Sequence, residues 1–307
     1  MTTVQDTTTR KTRVAIMNAV HDLPVLVARD KGFFRDEGLD IEFVTTPGMA
    51  QVTTSHEVKF ETVFDRPLDS VYNEGGIDQY RMCEWGIMKR AVEAEHGGLR
   101  RRRIVALGAS MSKFAIAVAR SSPIYEPEML KDKVISVTPN NGSHFTMLKM
   151  VEGFLEPEHV KTTNAGSMKK RLEAMRRGEV DAVVLMEPWI SVAQKEGLRI
   201  LIESHSTRSE AASDDVDAAT LRAMFRAQAR AVEVIEKDPR PFVHYLIAET
   251  GGLLEEKDFQ TWRLLHAPPQ PYTRERFDDT YRWTVKWNMT VPGATFENTV
   301  DNRAWES

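Results

Sequence analysis

The chain has 307 residues, of which 41% are hydrophobic and 28% are charged, and its formal net charge is −4 at pH 7. This length predicts about two domains of ~150 residues, each with a substantial buried core. The acidic balance argues against a large basic surface for nucleic acid. No apolar run approaches the ~18 residues that a membrane-spanning helix needs, so we expect no membrane insertion.

Two short stretches bear on location and surface charge. Residues 1–12 (MTTVQDTTTRKT) lack the apolar core of a secretory signal, so we expect a disordered tail and a cytoplasmic protein. The single cysteine, Cys83, excludes an internal disulfide and is compatible with a reducing compartment. The run RRRR at 100–103 precedes an apolar segment, and we interpret it as a solvated turn rather than a phosphate-binding patch.

Short apolar runs alternate with amphipathic stretches, a pattern that predicts a mainly parallel α/β sheet. Strands are predicted at residues 14–17, 39–44, 104–107, 115–119, 134–137, 182–185 and 199–202. A helix is predicted over 24–34, with Asp22 as its cap and Pro24 in its first turn. A second helix is predicted over 221–236, and the pair Asp238-Pro239 that follows it prevents the helix from continuing. The remainder is helical and rich in tryptophan, and residues 53–69 stay unassigned.

Three groups of motifs occur in a fixed order. They are LPVLVARDKGFF at 23–34 with EGLDI at 37–41, LKDKVISV at 130–137 with NGS at 141–143, and GEVDA at 178–182 with EPW at 187–189 and GLR at 197–199. This order resembles the substrate-binding superfamily of ABC transporters of the nitrate, sulfonate and taurine type, which includes thiamine-pyrimidine-synthase-like proteins.

The resemblance implies a two-lobed type II periplasmic-binding-protein fold, in which each lobe is a mainly parallel sheet flanked by helices. Residues 13–109 and 204–307 would form lobe one, and residues 110–203 would form lobe two. The chain would cross near Ser110 and return near His205, and a helical C-terminal segment would complete the fold. A small anionic organic ligand would then bind in the cleft between the lobes.

Ligands of such sheets bind where strands end and helices begin, so this rule selects the candidate binding residues. The candidates follow the predicted strands at 14–17, 39–44, 134–137 and 182–185, and they are Asn18, His21, Asp22, Thr46, Asn141, Gly142, Ser143, His144, Phe145, Glu187 and Trp189. The helix that begins after Asn141 would present free N–H groups and its positive dipole end to an anion. A ring carrying a carboxylate or a sulfur oxyanion suits such a cleft.

Several of these side chains have two interpretations. His21 could act as a general acid or base, or it could be a neutral histidine bonded to a helix end. His144 suits anion contact better than proton transfer. Arg81 could clamp an oxyanion with two hydrogen bonds, or it could form a surface ion pair with Glu84 or Asp78.

For two more candidates, Cys83 and Glu187, the sequence gives less support for contact with the ligand. Cys83 is interpreted mainly as a small buried hydrophobic residue, although it is close in sequence to Arg81 and is therefore also a candidate for ligand contact. Glu187 matches the Glu-Pro position of the superfamily, where it orients the hinge or contacts the ligand.

Some members of the superfamily are intracellular enzymes, such as biphenyl-sulfinate desulfinase and dihydroxyphthalate decarboxylase. The desulfinase cysteine after strand one is absent here, and the nearby position holds His21. We therefore expect a cofactor-independent lyase in which His21 protonates carbon as carbon dioxide or sulfite leaves. The alternative is a non-catalytic binding protein, either a transport receptor or a cytosolic sensor. A metal site of His21, His144 and Glu187 lacks the short ligand spacing that would support it.

Overall fold

The computed structural model describes residues 11–45, 67–289 and 292–306. In these ranges a central nine-stranded sheet is flanked by helices. The strands are β1 Thr12–Ile16, β2 Ile41–Thr45, β3 Gln79–Met82, β4 Arg102–Val118, β5 Val134–Ser136, β6 Lys161–Thr163, β7 Ala182–Met186, β8 Arg199–Ser213 and β9 Leu265–His266. The helices are α1 Ala19–Asp30, α2 Phe33–Asp36, α3 Pro67–Asn73, α4 Glu84–Gly97, α5 Gly142–Val151, α6 Met168–Arg176, α7 Trp189–Lys195, α8 Ala218–Lys237, α9 Val243–Ala248, α10 Arg274–Lys286 and α11 Phe296–Thr299.

Two long antiparallel strands, β4 and β8, run through the centre of the sheet, whose strand order is β2-β1-β3-β8-β4-β7-β5-β6. The last part of β8 pairs with β3, which leads to the parallel strands β1 and β2. The last part of β4 pairs with β7, which leads to the parallel strands β5 and β6. We call β1–β3 the first half-sheet and β5–β7 the second half-sheet. The predicted two-lobed α/β fold is thereby confirmed.

Strands β4 and β8 are longer than predicted. The predicted strands at 104–107 and 115–119 are one strand, because the small and polar residues between them pair with β8, as in Met111 with Thr207 and Ser112 with Ser206. The register shifts between Leu107 and Met111. The predicted lobe boundaries at 109/110 and 203/204 fall inside these two strands and stay predictions.

Helix α1 begins five residues before the predicted start. Asn18 is its cap, and the side-chain oxygen of Asn18 accepts the N–H of His21 at 3.0 Å. The predicted cap, Asp22, is wrong: Asp22 lies in the first turn, where its Oδ2 accepts the N–H groups of Met17 at 2.5 Å and Asn18 at 3.0 Å. Pro24, predicted in the first turn, is instead the sixth residue of the helix, where it has no N–H to donate to the carbonyl four residues earlier.

Two clusters of buried side chains hold the helices on the sheet. One packs α1 and α8 together, through residues such as Leu23, Val27, Met224 and Ala231. Helix α8 extends the predicted 221–236 to Ala218, because Asp217 caps it by accepting the N–H of Thr220 at 2.8 Å. The other cluster joins α4, α5 and α10 around Trp85, Phe145 and Trp283.

Other predictions are corrected in detail. Trp262, in the tryptophan-rich part of the chain that was predicted to be helical, is 58% exposed and lies under the cation of Lys113. The arginine run at 100–103 is ion-paired rather than free: Arg100 contacts Asp78 at 2.7 Å. Arg102 is buried at the start of β4 instead of solvated.

Some predictions concern residues outside the described ranges. Residues 1–10 of the predicted tail and Thr46 are among them, whereas Thr12, also assigned to the tail, begins β1 and pairs with Ile41. In the part of the chain that the structure covers, no helix is long and apolar enough to cross a membrane.

Candidate functional site

The α5 start (residues 141–143) is organised by its own side chains. Asn141 caps the helix, since its Oδ1 accepts the N–H of Ser143 at 3.3 Å. The hydroxyl of Ser143 in turn accepts the N–H of Thr138 at 3.3 Å. Gly142 is the first helical residue. The ten-residue helix therefore presents the positive end of its dipole here, as predicted.

His144 follows the α5 start, but it does not supply a positive charge. Its Nδ1 accepts the backbone N–H of Asn140 at 3.2 Å. Burial lowers the pKa of His144 to about 4, so the ring carries no charge near pH 7. Its anion contact would have to be a neutral hydrogen bond.

Arg208 of β8 was not among the predicted site residues, although it lies beside the α5 start. It is 3% exposed, and its Nη1 lies 3.2 Å from the position that a Cβ on Gly142 would occupy. Its Nε and Nη2 are 3.4 Å from the carbonyl oxygen of Ser206. Among the described residues, no carboxylate oxygen lies within 4 Å of its guanidinium. Burial lowers the pKa of Arg208, although the neighbouring Cys83 and Glu84 groups oppose the shift.

Arg171 of α6 is a second buried arginine beside the α5 start. Its Nη1 donates to the carbonyl of Val184 at 2.6 Å, and its Nη2 donates to the hydroxyl oxygens of Thr138 and, at 3.5 Å, Ser143. No carboxylate of the described ranges lies within 4 Å of it. Burial lowers the pKa of Arg171 to about 10. Two cations without counter-ions thus flank Gly142 and Ser143.

Arg81 lies in β3 and is buried, so the predicted surface ion pair with Glu84 or Asp78 is wrong. Its Nε is 2.6 Å from Oδ1 of Asp22, and its Nη1 is 3.7 Å from Oε2 of Glu210. The two carboxylates therefore already occupy the guanidinium that was predicted to clamp a ligand.

Glu210 is the more unusual of these two carboxylates. Its Oε2 accepts a hydrogen bond from Nε2 of Gln79 at 2.9 Å. Burial raises the pKa of Glu210 to about 7, although the charge of Arg81 opposes the shift. The side chain therefore exchanges a proton near neutral pH.

His21 lies on the first turn of α1, next to this ion-pair network. The amide nitrogen of Asn18 is 2.9 Å from its Nδ1. An amide nitrogen only donates, so Nδ1 accepts and the ring proton is on Nε2. Nε2 is buried and has no partner in the described ranges. Burial, then the charges of Arg208 and Arg81, lower the pKa of His21 well below its usual value.

Cys83 is buried, as predicted, and it precedes α4 as its N-cap residue. Its Cβ lies 3.7 Å from the Cβ position of Gly142. Phe145, also predicted near the ligand, stacks on Trp85 at 4.7 Å between ring centroids and lies 6.0 Å from Trp283. Helices α4, α5 and α10 therefore meet directly beside the α5 start.

The structure does not bring Glu187 and Trp189 into this group. Glu187 accepts hydrogen bonds from the N–H and hydroxyl of Ser191 at 3.2 and 3.1 Å, and it lies 3.4 Å from Nη1 of Arg263. Burial raises the pKa of Glu187 to about 7. Trp189 packs against the cluster of α1 and α8. The predicted contact of these two side chains with the ligand stays a prediction.

An open cavity of about 530 Å³ lies between α4, α5 and α10. Its walls are Glu84, Lys149, Glu152, Thr273, Glu275, Arg276, Asp279, Thr280 and Trp283. None of the predicted binding residues lines it. The predicted residues that do assemble are enclosed, between the first turn of α1, strand β8 and the α5 start. Within the described ranges, no group of three or more His, Cys, Asp or Glu side chains could hold a metal ion.

No protein-family model and no curated protein matches the chain. Among solved structures it is similar to the periplasmic aliphatic sulphonate binding protein SsuA from Escherichia coli, with a TM-score of 0.71, 15% identity, and coverage of 95% of this chain and 92% of that one.

Two further solved structures are similar over nearly the whole chain. The alkanesulfonate-binding protein SsuA from Xanthomonas axonopodis pv. citri, bound to MOPS, has a TM-score of 0.69 at 16% identity, with coverage of 93% and 95%. A cysteine-to-serine mutant of DSZB in complex with biphenyl-2-sulfinic acid has a TM-score of 0.63 at 13% identity, with coverage of 96% and 98%. The chain therefore has the type II periplasmic-binding-protein fold that its motifs predicted.

Proposed function

We propose that the protein binds a small organic anion, with a carboxylate or a sulfur oxyanion as its charged group, at the α5 start. One observation carries the proposal: Arg208 is buried beside Gly142 without a counter-ion among the described residues. A buried charge is costly unless it is paired. An anionic ligand would supply the missing partner.

The neighbouring groups are suited to the same ligand. Gly142 has no side chain that would fill the space beside Arg208, and a Cβ there would come within 3.2 Å of Nη1. The free N–H groups of the α5 start favour an oxyanion. Nε2–H of His21 is a buried donor that lacks an acceptor in the described ranges. The similar SsuA proteins are named for binding sulfonates, which supports this ligand class.

Binding would require the two half-sheets to separate and close again. Arg208 and Ser143 are both buried, so a ligand in solution cannot reach them in the described conformation. The contact that would have to open includes the stack of Phe145 on Trp85. Such closure would exclude water and strengthen the charge interactions with the ligand.

The test compares two arginines that differ in burial. In Arg208→Met, we expect affinity for benzenesulfonate and benzoate to fall by about 100-fold, because the charge that binds the anion is lost. Without ligand, this variant should melt at the same temperature as wild type or higher, since a costly buried charge is gone. Arg226→Met, on the exposed face of α8, is the matched control and should bind as wild type does.

Isothermal titration calorimetry measures the affinities, and a thermal melt with and without the anion measures the stabilisation by binding. If Arg208→Met binds as tightly as the control, the proposed site is wrong. If no tested anion binds the wild type, the proposed ligand class is wrong.

We propose a cofactor-independent lyase as a second function, carried by His21. Loss of carbon dioxide or sulfur dioxide from the bound acid leaves an electron pair on the ring carbon, and an imidazolium at His21 would protonate that carbon. Burial and the charges of Arg208 and Arg81 lower the pKa of His21 and oppose this role, and a bound anion would offset the charges of the two arginines. The similar structure of DSZB is in complex with a sulfinic acid, which supports aromatic acids of this kind as candidate substrates for this fold.

This second proposal is tested by product formation. Purified wild-type protein and His21→Gln are incubated with aromatic carboxylic and sulfinic acids, and the desulfinated or decarboxylated product is quantified by chromatography. Turnover by the wild type and its loss in His21→Gln would support the lyase. Equal turnover by both would remove His21 from the mechanism, and absence of turnover despite binding would leave binding as the function.

A further inference from the structure

Arg171 is a second cation beside the α5 start, and an anion bound at Arg208 alone would not offset its charge. Arg171 is 2% exposed and, like Arg208, has no carboxylate within 4 Å among the described residues. It reaches the α5 start through Thr138 and Ser143. A single negative charge on a ligand would offset only one of these two guanidinium groups.

The other charged groups near the site are already compensated. Arg81 is paired with Asp22 and Glu210. Glu84, the carboxylate nearest to Cys83 in sequence, accepts hydrogen bonds from Arg276 at 2.9 and 3.1 Å. The excess positive charge at the α5 start therefore comes from Arg171, Arg208 and the helix dipole.

The two arginines play different parts. Nη1 of Arg208 lies against Gly142, where a ligand oxygen would sit. Arg171 has its Nε, Nη1 and Nη2 engaged with Gly166, Val184, Thr138 and Ser143, so it has no such free face. Arg171 would act as a positioning residue, holding the hydroxyl of Ser143 and adding charge behind it.

We propose that the site prefers a dianionic oxyanion group, such as a phosphate monoester or another doubly charged oxyanion, to a monoanionic group of the same shape. This inference rests on the proposed anion site and specifies its ligand class. The second negative charge would offset the buried charge of Arg171, where screening by water and salt is weak.

Phenyl phosphate and phenyl sulfate test this preference, because the two esters have the same shape. At pH 8 the phosphate monoester carries two charges, since its second pKa is near 6, whereas the sulfate carries one. Calorimetry should show that wild-type protein binds phenyl phosphate about tenfold more tightly or better. In Arg171→Met this ratio should fall towards one, while phenyl sulfate still binds.

Arg171→Lys, compared with wild type at pH 7, is the conservative control: a buried ammonium keeps more of its charge there than at pH 8, so the variant should retain the preference for phosphate even if fewer hydrogen bonds lower its stability. A wild-type protein that binds phenyl sulfate as tightly as phenyl phosphate would overturn the dianion inference and leave the anion site intact. A wild-type preference that survives in a folded Arg171→Met would overturn the part assigned to Arg171. If neither ester binds, the proposed anion site itself fails.

Discussion

The buried carboxyl group of Glu210 makes the stability of the protein depend on pH in a predictable direction. Its pKa is raised to about 7 in the folded protein, against 4.5 without burial. Between these values the folded state binds more protons than the unfolded state, so the free energy of unfolding falls as pH rises. At pH 8 the ionised side chain costs about 3 kcal/mol, and at pH 5.5 the cost is about 1.5 kcal/mol.

The substitution Glu210→Gln removes this titration and keeps an oxygen that can accept the hydrogen bond of Gln79. We expect the variant to gain about 2 kcal/mol of stability relative to wild type when the pH is raised from 5.5 to 8. Guanidinium denaturation followed by tryptophan fluorescence measures the difference at both pH values. Other buried carboxyls, such as that of Glu187, contribute equally to both proteins and cancel.

Glu128→Gln, at an exposed position in the turn Pro127–Leu130, is the control and should show no such gain. A stability difference between Glu210→Gln and wild type that is the same at pH 5.5 and at pH 8 would refute the reasoning. It would mean that Glu210 is ionised to the same extent in the folded protein and in the unfolded chain throughout this range.

Two further substitutions test the α5 start and its surroundings. Phe145→Ala should lower the free energy of unfolding by about 3–5 kcal/mol in chemical denaturation, because it leaves a cavity under Trp85. Phe154→Ala, at a side chain that is 43% exposed, should change it by no more than about 0.5 kcal/mol. Gly142→Ala should weaken anion binding in calorimetry by about tenfold, since its Cβ would displace the guanidinium and hydrogen bonds weaken steeply with geometry. Gly153→Ala meets no atom within 4 Å and should bind normally; equal affinities of the two variants would contradict the placement of the anion.

The parts of the fold that depend on local pattern were predictable from the sequence. The motif at 130–143 identified β5 and the α5 start, because an apolar strand followed by Asn141 and Gly142 is typical of a capped helix. The boundary of α1 was wrong because Asn18 and Asp22 are both good caps, and sequence alone does not show which one the backbone uses.

The position of Arg208 in the site could not be predicted, because it depends on pairing between strands that are far apart in the chain. Arg208 follows the predicted strand 199–202 in a polar stretch, and only pairing with β4 continues that stretch as β8. No alternation of apolar and polar residues marks this stretch as a strand, because Thr207 and Ser209 are polar as well. The partner of Glu187 could not be predicted for a similar reason: Arg263 is 76 residues away in the chain.

The long pair of β4 and β8 also determines how the protein can be divided. The first half-sheet meets β8 through β3, and the second meets β4 through β7, so both depend on strands from the middle of the chain. A truncation before Arg199 would remove β8 and leave β3 and most of β4 with unpaired edges. The second half-sheet and the parts of β4 and β8 that pair beside it lie in one continuous stretch of the chain, so that half can be expressed as a single segment. The first half-sheet pairs with the end of β8, so a fragment of that half needs a designed linker between its two pieces.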